Sequence, residues 1–299
     1  MQRTEHGSFS TVSVYGTRAV KQIKENKRRS LINAVRERSV MMHAQSGGCA
    51  HLVRPIAPGA AVLSWFTIVQ VNCGVALNKQ PYYTRSHVLC ILNGVASALR
   101  FMHSIDLYHR DVKPSNVLVR VLGTHHCLPV LCDYGSSVTG HQTTGVFMES
   151  RGITTARYTP PEAKRSIRIE GQHSGATILN NASIDKWSFG CLCLYMFKHP
   201  MFDALDAVAG ACTCTSLYRL VTQYYGALRT ETACAVETTT RRIQRHFVQG
   251  NVLTCTRCNE SVHLARTEPL LSGPAQHLSL DATRRPAIGH YSIASFERL

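Results

Sequence analysis
Apolar and polar positions alternate near the start of the chain. Phe9, Val12 and Val14 are followed, after Tyr15-Gly16-Thr17, by Arg18-Ala19-Val20-Lys21, and this period of two about a turn predicts a β-hairpin. The period then lengthens. Leu31, Ile32, Val35, Val40 and Met41 predict a helix over 30–45. Two further strands are predicted at 51–56 and 61–71. Beyond Asn72-Cys73-Gly74 the pattern is that of long helices. Val88, Leu89, Ile91, Leu92, Val95, Leu99 and Met102 share one broad face over 86–104, and 185–197 is apolar on nearly all sides, as a buried central helix would be. The pattern predicts a small β-rich lobe, 1–71, hinged near 70–74 to a larger helical lobe, 72–299.

Composition narrows the class. The 299 residues suit one domain of two lobes, and 44% apolar residues can build a sizeable core. The first ten residues, MQRTEHGSFS, are polar, and the longest clean apolar run, 191–197, is too short to span a bilayer. A soluble intracellular protein without a membrane partner is expected, cytoplasmic or nuclear, with its twelve cysteines as free thiols. Cys255 and Cys258 have ligand-like spacing, with His263 five residues on, but the second ligand pair of a structural zinc site is missing at any recognisable spacing. The net charge of +15 concentrates in 21–38, where seven Lys or Arg face two Glu, and in RRIQRH at 241–246. Nucleic-acid binding, nuclear targeting through KENKRR and acidic substrates are the sharp readings. No aromatic residues interleave with the basic ones as base stacking would require, so a solvated helix face is preferred.

The chemistry concentrates in Tyr108-His109-Arg110-Asp111-Val112-Lys113-Pro114-Ser115-Asn116-Val117-Leu118-Val119. Asp and Asn stand five apart with Lys two after the Asp. Leu131-Cys132-Asp133-Tyr134-Gly135 follows, then Thr155-Ala156-Arg157-Tyr158-Thr159-Pro160-Pro161-Glu162, Asp185-Lys186-Trp187-Ser188-Phe189-Gly190 and Asp281-Ala282-Thr283-Arg284-Arg285-Pro286. In this order the segments resemble the catalytic loop, the DFG metal-binding element, the end of the activation segment, the central helix of the large lobe and the closing element of eukaryotic-type protein kinases.

The resemblance implies an α+β bilobal fold with the active site between lobes, and transfer of the γ-phosphoryl group of Mg·ATP to protein Ser or Thr hydroxyls. Asp111 would orient or accept the proton of the attacking hydroxyl, Lys113 would neutralise the transferring phosphoryl group, and Asn116 and Asp133 would hold Mg²⁺. Lys113 and the Thr155 region favour Ser/Thr over Tyr. Glu5-His6-Gly7-Ser8-Phe9-Ser10-Thr11-Val12 stands where the Gly-rich phosphate loop would be, with Gly7 as its one remaining glycine and Glu5 and Ser10 in place of the others. Glu5 brings negative charge toward the nucleotide. Ala19 and Lys21 follow at the right distance, Lys21 to hold the α- and β-phosphates, with Glu37 as its partner ahead of Glu25. Glu162 would pair with Arg285, and Asp185 would brace the catalytic loop from behind. The loose glycine loop and many cysteines resemble divergent kinases of large, herpes-like DNA viruses.

Alternatives stay open. The degenerate phosphate loop suits a pseudokinase that binds nucleotide or partners without catalysis. A small-molecule phosphotransferase would share the Asp-x4-Asn loop but not the activation segment. Cys132 is either a small core residue or a thiol facing the ATP pocket. Arg110 would bind a phosphate on the activation segment, at Ser150 ahead of Thr154, unless Glu149 serves as a built-in anion. Insertions at 163–184 and within 229–265 have no assigned role.

Overall fold
Residues 10–23 form the expected hairpin: β2 (Ser10–Tyr15) and β3 (Arg18–Ile23) pair antiparallel about Gly16-Thr17, with Gly16 in the left-handed region at φ 55°. The computed structural model describes residues 3–6, 10–24, 28–45, 48–56, 66–80, 83–140, 156–160, 163, 181–198, 202–205, 221, 252–254, 261–263, 285 and 288–289. β1 (Arg3–His6) and β4 (Thr67–Val71) complete a four-stranded antiparallel sheet in the order β1-β2-β3-β4. One register row runs Glu5, Val12, Lys21, Ile68 across all four strands. Residues directly opposite in antiparallel strands project to the same face, so these four share one side of the sheet.

Helix α1 (Arg28–Gln45) buries Ala34, Glu37, Val40, Met41 and Ala44, positions three and four apart that form one stripe. The predicted strand at 51–56 is not a strand. Its hydrogen bonds divide between two sheets. The amide of Val53 donates to Leu131 O and that of Leu131 to His51 O, while Ile56 donates to Val69 O and Val71 to Arg54 O. Two isolated bridges result, Leu52 to Leu131 and Pro55 to Gln70.

After Asn72-Cys73-Gly74 come β5 (Val75–Ala76) and a 3-10 turn (Leu77–Lys79). Helix α2 (Arg85–Ser104) begins at Thr84, whose hydroxyl accepts from the His87 amide while His87 Nδ1 accepts from the Thr84 amide; this is a capping box built with His instead of Glu. β6 (Leu107–Tyr108) pairs with β9 (Val138–Thr139), and β5, β7 (Val117–Val121) and β8 (Cys127–Leu131) form a small antiparallel sheet against α2. Gly94 admits this packing, since a Cβ there would lie 2.2 Å from Pro129 Cγ.

The chain gathers into two compact units, Met1–Gln142 and Thr143–Leu299. Every element so far belongs to the first. In the second, α3 (Asn181–Met196) is the expected buried helix, with Ile184, Trp187, Phe189, Cys191, Leu192 and Cys193 all at its core. β10 (Val252–Thr254) and β11 (Ser261–His263) pair antiparallel within the second insertion. Cys255 and Cys258 lie outside the described residues, and no group of three His, Cys, Asp or Glu able to hold a metal occurs among the described ones. No described helix is long and apolar enough to cross a membrane.

Candidate active site
Strand alternation turns Ala19, Lys21 and Ile23 inward, and the α1 stripe turns Glu37 toward them. A buried charge must be paired. Lys21 Nζ donates to Glu37 Oε1 at 2.7 Å and Oε2 at 2.8 Å, and to Asp133 Oδ1 at 2.9 Å, which occupies the acceptors an ammonium can serve. Burial works against the charge of Lys21, but Asp133 and Glu37 outweigh it and hold its pKa well above the usual lysine value. For Asp133 burial acts upward, yet Lys21 and Lys113 reverse it and hold the carboxyl down at about 2. Burial raises Glu37, and the pull of Lys21 does not overcome it with the Asp133 charge alongside. Glu25 lies outside the described residues.

The segment 108–116 leaves β6 through Arg110, which is buried and has φ 66°, and ends in a 3-10 turn, Pro114–Asn116, with proline at its first position. Lys113 Nζ donates to Asp111 Oδ2 at 2.7 Å. Asn116 Nδ2 donates to the same oxygen at 3.0 Å and to Asp111 O at 2.8 Å. The other oxygen, Asp111 Oδ1, is buried and has no hydrogen-bond partner. Burial pushes Asp111 up to about 6 against the pull of Lys113. Fully buried His109 locks the loop to its neighbour: Nδ1 accepts from the Asp111 amide at 3.3 Å, which leaves Nε2–H to donate to Cys132 O at 3.1 Å. The Cys132 amide donates to Asn116 O at 2.9 Å, tying together the segments that carry the two prospective metal ligands.

Asp133 adopts the left-handed conformation, φ 68° and ψ 75°, and its carboxylate reaches Lys21. Tyr134 is fully buried and finds partners for its hydroxyl in backbone carbonyls, Leu131 O at 3.2 Å and Val53 O at 3.5 Å. With Nδ2 of Asn116 engaged, its amide oxygen and the ionised Asp133 carboxylate are the donors left for a hard cation. Two such oxygens would suit a hard cation such as Mg²⁺.

The phosphate-loop candidates divide. Glu5 and His6 lie in β1, Ser10 and Val12 in β2, and Ala19 in β3, whereas Gly7, Ser8 and Phe9 lie outside the described residues. Glu5 does not stand bare beside the site as its sequence position suggests. Its carboxylate pairs with Lys79 Nζ at 2.6 Å and with the Arg3 guanidinium. Glu149, Ser150, Thr154, Thr155 and Glu162 also lie outside the described residues. Arg285 is buried in the second unit, donating from Nη1 to Ser183 O at 2.8 Å and stacking 5.0 Å from the Trp187 ring centre. Cys132 is half-buried, and burial with the Asp133 charge pushes its thiol far up, against the reactive reading.

Sequence reasoning missed Lys79 and Asn72. The Asn72 amide donates to Thr17 O at 2.9 Å and its Nδ2 to Gly16 O at 2.7 Å, while Oδ1 accepts from the Gly74 amide at 3.1 Å and its carbonyl accepts from Arg120. The only local signal was an Asn before Cys-Gly at a turn, and for Lys79 there was none.

Comparison with known proteins bears on the same residues. The profile of the protein kinase domain matches residues 7–242. Mitogen-activated protein kinase mpk-1 of Caenorhabditis elegans is 31% identical over 128 residues, 42% of this chain and 26% of that protein. Serine/threonine-protein kinase Aurora-1 of Arabidopsis thaliana is 29% identical over 132 residues, 44% of this chain and 38% of its own length. A solved chain of the yeast RNA Pol II CTD kinase CTDK-1 complex shares 20% identity, covering 66% of this chain and 61% of that one with a TM-score of 0.46. The chain spans 25% to 38% of the length of the first curated relatives it matches.

Proposed function
This chain belongs to the protein kinase family, and on that premise we propose that it is an active enzyme transferring the γ-phosphoryl group of ATP to Ser or Thr hydroxyls of proteins. The observation that carries the reading is the assembled set: Lys21 bound to both Glu37 and Asp133, beside an Asp111 whose Oδ1 is unshared. In kinases the lysine–glutamate pair and the metal-binding aspartate must both be in place for phosphoryl transfer. A pseudokinase drifting from catalysis has no reason to keep this whole set in place, and this weighs against the binding-module alternative.

The roles follow from the donors. Lys21 holds the α- and β-phosphates by exchanging Asp133 for phosphate oxygens while keeping Glu37. Asp133 and the Asn116 amide oxygen hold Mg²⁺, which when bound neutralises phosphate charge. Asp111 Oδ1 accepts the proton of a protein hydroxyl as that oxygen attacks phosphorus, and Oδ2 stays fixed by Lys113 and Asn116. Lys113 stabilises the charge spread over the transferring group. Departures in the phosphate loop are those of a divergent kinase. The substrates are proteins inside a cell.

Incubation of the purified chain with labelled ATP, Mg²⁺ and a peptide library tests the reading. Phosphoserine and phosphothreonine are the expected products. Phosphotyrosine alone would overturn the specificity, and label no higher than with Asp111→Asn would overturn the activity.

A further inference from the structure
Glu5 and Lys79 come from opposite sides of the prospective nucleotide site. Glu5 is in β1, in the register row that contains Lys21, and it shares Lys21's face of the sheet two strands away, about 10 Å at ordinary strand spacing. Lys79 ends the 3-10 turn after β5, a turn packed against Pro114–Asn116, which carries the metal ligand Asn116. The two side chains meet at 2.6 Å, Lys79 46% and Glu5 29% exposed. Arg3, two residues back on the same strand, holds the Glu5 carboxylate from the other side.

The row is thus tied at two points. Lys21 binds Glu37 and Asp133, and two strands away, at the outer end, Glu5 binds Lys79. We propose that the Glu5–Lys79 ion pair is a latch across the outer mouth of the nucleotide site, which slows nucleotide release and does by side chains what a glycine at position 5 would do through close backbone approach to the nucleotide. The inference rests on the kinase reading above. It turns the anomalous charge of Glu5 into a use: with Lys79 and Arg3 on it, the carboxylate is neutralised toward phosphate. Burial acts upward on its pKa and the two cations outweigh it, so the latch is charged at neutral pH. A half-exposed pair is weak and screened by salt, which makes it openable.

Release of a fluorescent Mg·ADP analogue, chased with excess ADP in stopped flow, tests the latch. Glu5→Gln and Lys79→Met are each expected to speed release about two- to fivefold at low salt, and the double variant no further, since either change breaks the same pair. High salt should speed wild type toward the variants and leave the variants unmoved. Unchanged release in Glu5→Gln, additive effects in the double variant, or slower release in Glu5→Gln from removal of a bare charge would each overturn the latch. Absence of analogue binding by wild type would instead overturn the nucleotide reading itself, and the latch with it. Thermal melts of the variants separate these outcomes from misfolding.

Discussion

Asp111 uses its two carboxylate oxygens differently. Oδ2 is held by Lys113 and Asn116, which fixes the side chain, and Oδ1 is buried and unshared, which costs free energy unless something docks there. Burial outweighs the neighbouring cation and lifts its pKa to about 6. The sign is plain: as pH falls through that value the carboxylate gains a proton and loses its capacity to accept one. kcat/KM for phosphoryl transfer is therefore expected to fall about tenfold per unit below about pH 6. The nucleotide titrates in the same region, so the residual rate of Asp111→Asn is the control. An acidic limb shared by both would assign it to the nucleotide and remove Asp111 from the profile. The family resemblance picked out Lys21, Glu37, Asp111, Lys113, Asn116 and Asp133, and the structure joins Lys21 to Glu37 and Asp133, and Asp111 to Lys113 and Asn116. The partner of Glu5 was not legible in the sequence, since only strand register and a turn after β5 bring Lys79 to it.

Elements explain how far that legibility reaches. The hairpin, α1, α2 and α3 were visible as periodicities because each buries one face or all of its surface. The segment 51–56 misled because its apolar residues look like a strand while its hydrogen bonds serve two different sheets. The segment 72–74 lies between these cases. Gly74 has φ 111°, and a Cβ there would sit 2.3 Å from Val119 O in β7. Gly74→Ala must both strain the backbone and push this segment off β7, while Asn72 holds it to the hairpin. A loss of roughly 1–3 kcal/mol from the backbone conformation alone is expected, read from chemical denaturation. Analogue binding should weaken alongside it. An unchanged denaturation midpoint would show that the segment is not held as described.

At the scale of the whole molecule, the machinery from Lys21 to Asp133 lies within one compact unit, Met1–Gln142. The second unit has its own core about Trp187, fully buried and stacked under the Arg285 guanidinium. Trp187→Ala is expected to cost roughly 3–5 kcal/mol through lost burial and an unfilled cavity, followed by circular dichroism in denaturant. A loss under about 1 kcal/mol would contradict that core. The net charge of +15 assigns a sign to partners without identifying them. If this chain is a working kinase, Asp133 holds the metal and Asp111 serves the chemistry. Single-turnover phosphoryl transfer and Mg·ATP affinity, measured side by side for wild type, Asp111→Asn and Asp133→Ala, test this most directly. Asp111→Asn should bind Mg·ATP nearly as wild type does and transfer about a hundredfold more slowly or worse, while Asp133→Ala should lose affinity itself. Wild-type turnover by Asp111→Asn, or Mg·ATP affinity unchanged in Asp133→Ala, would contradict the account.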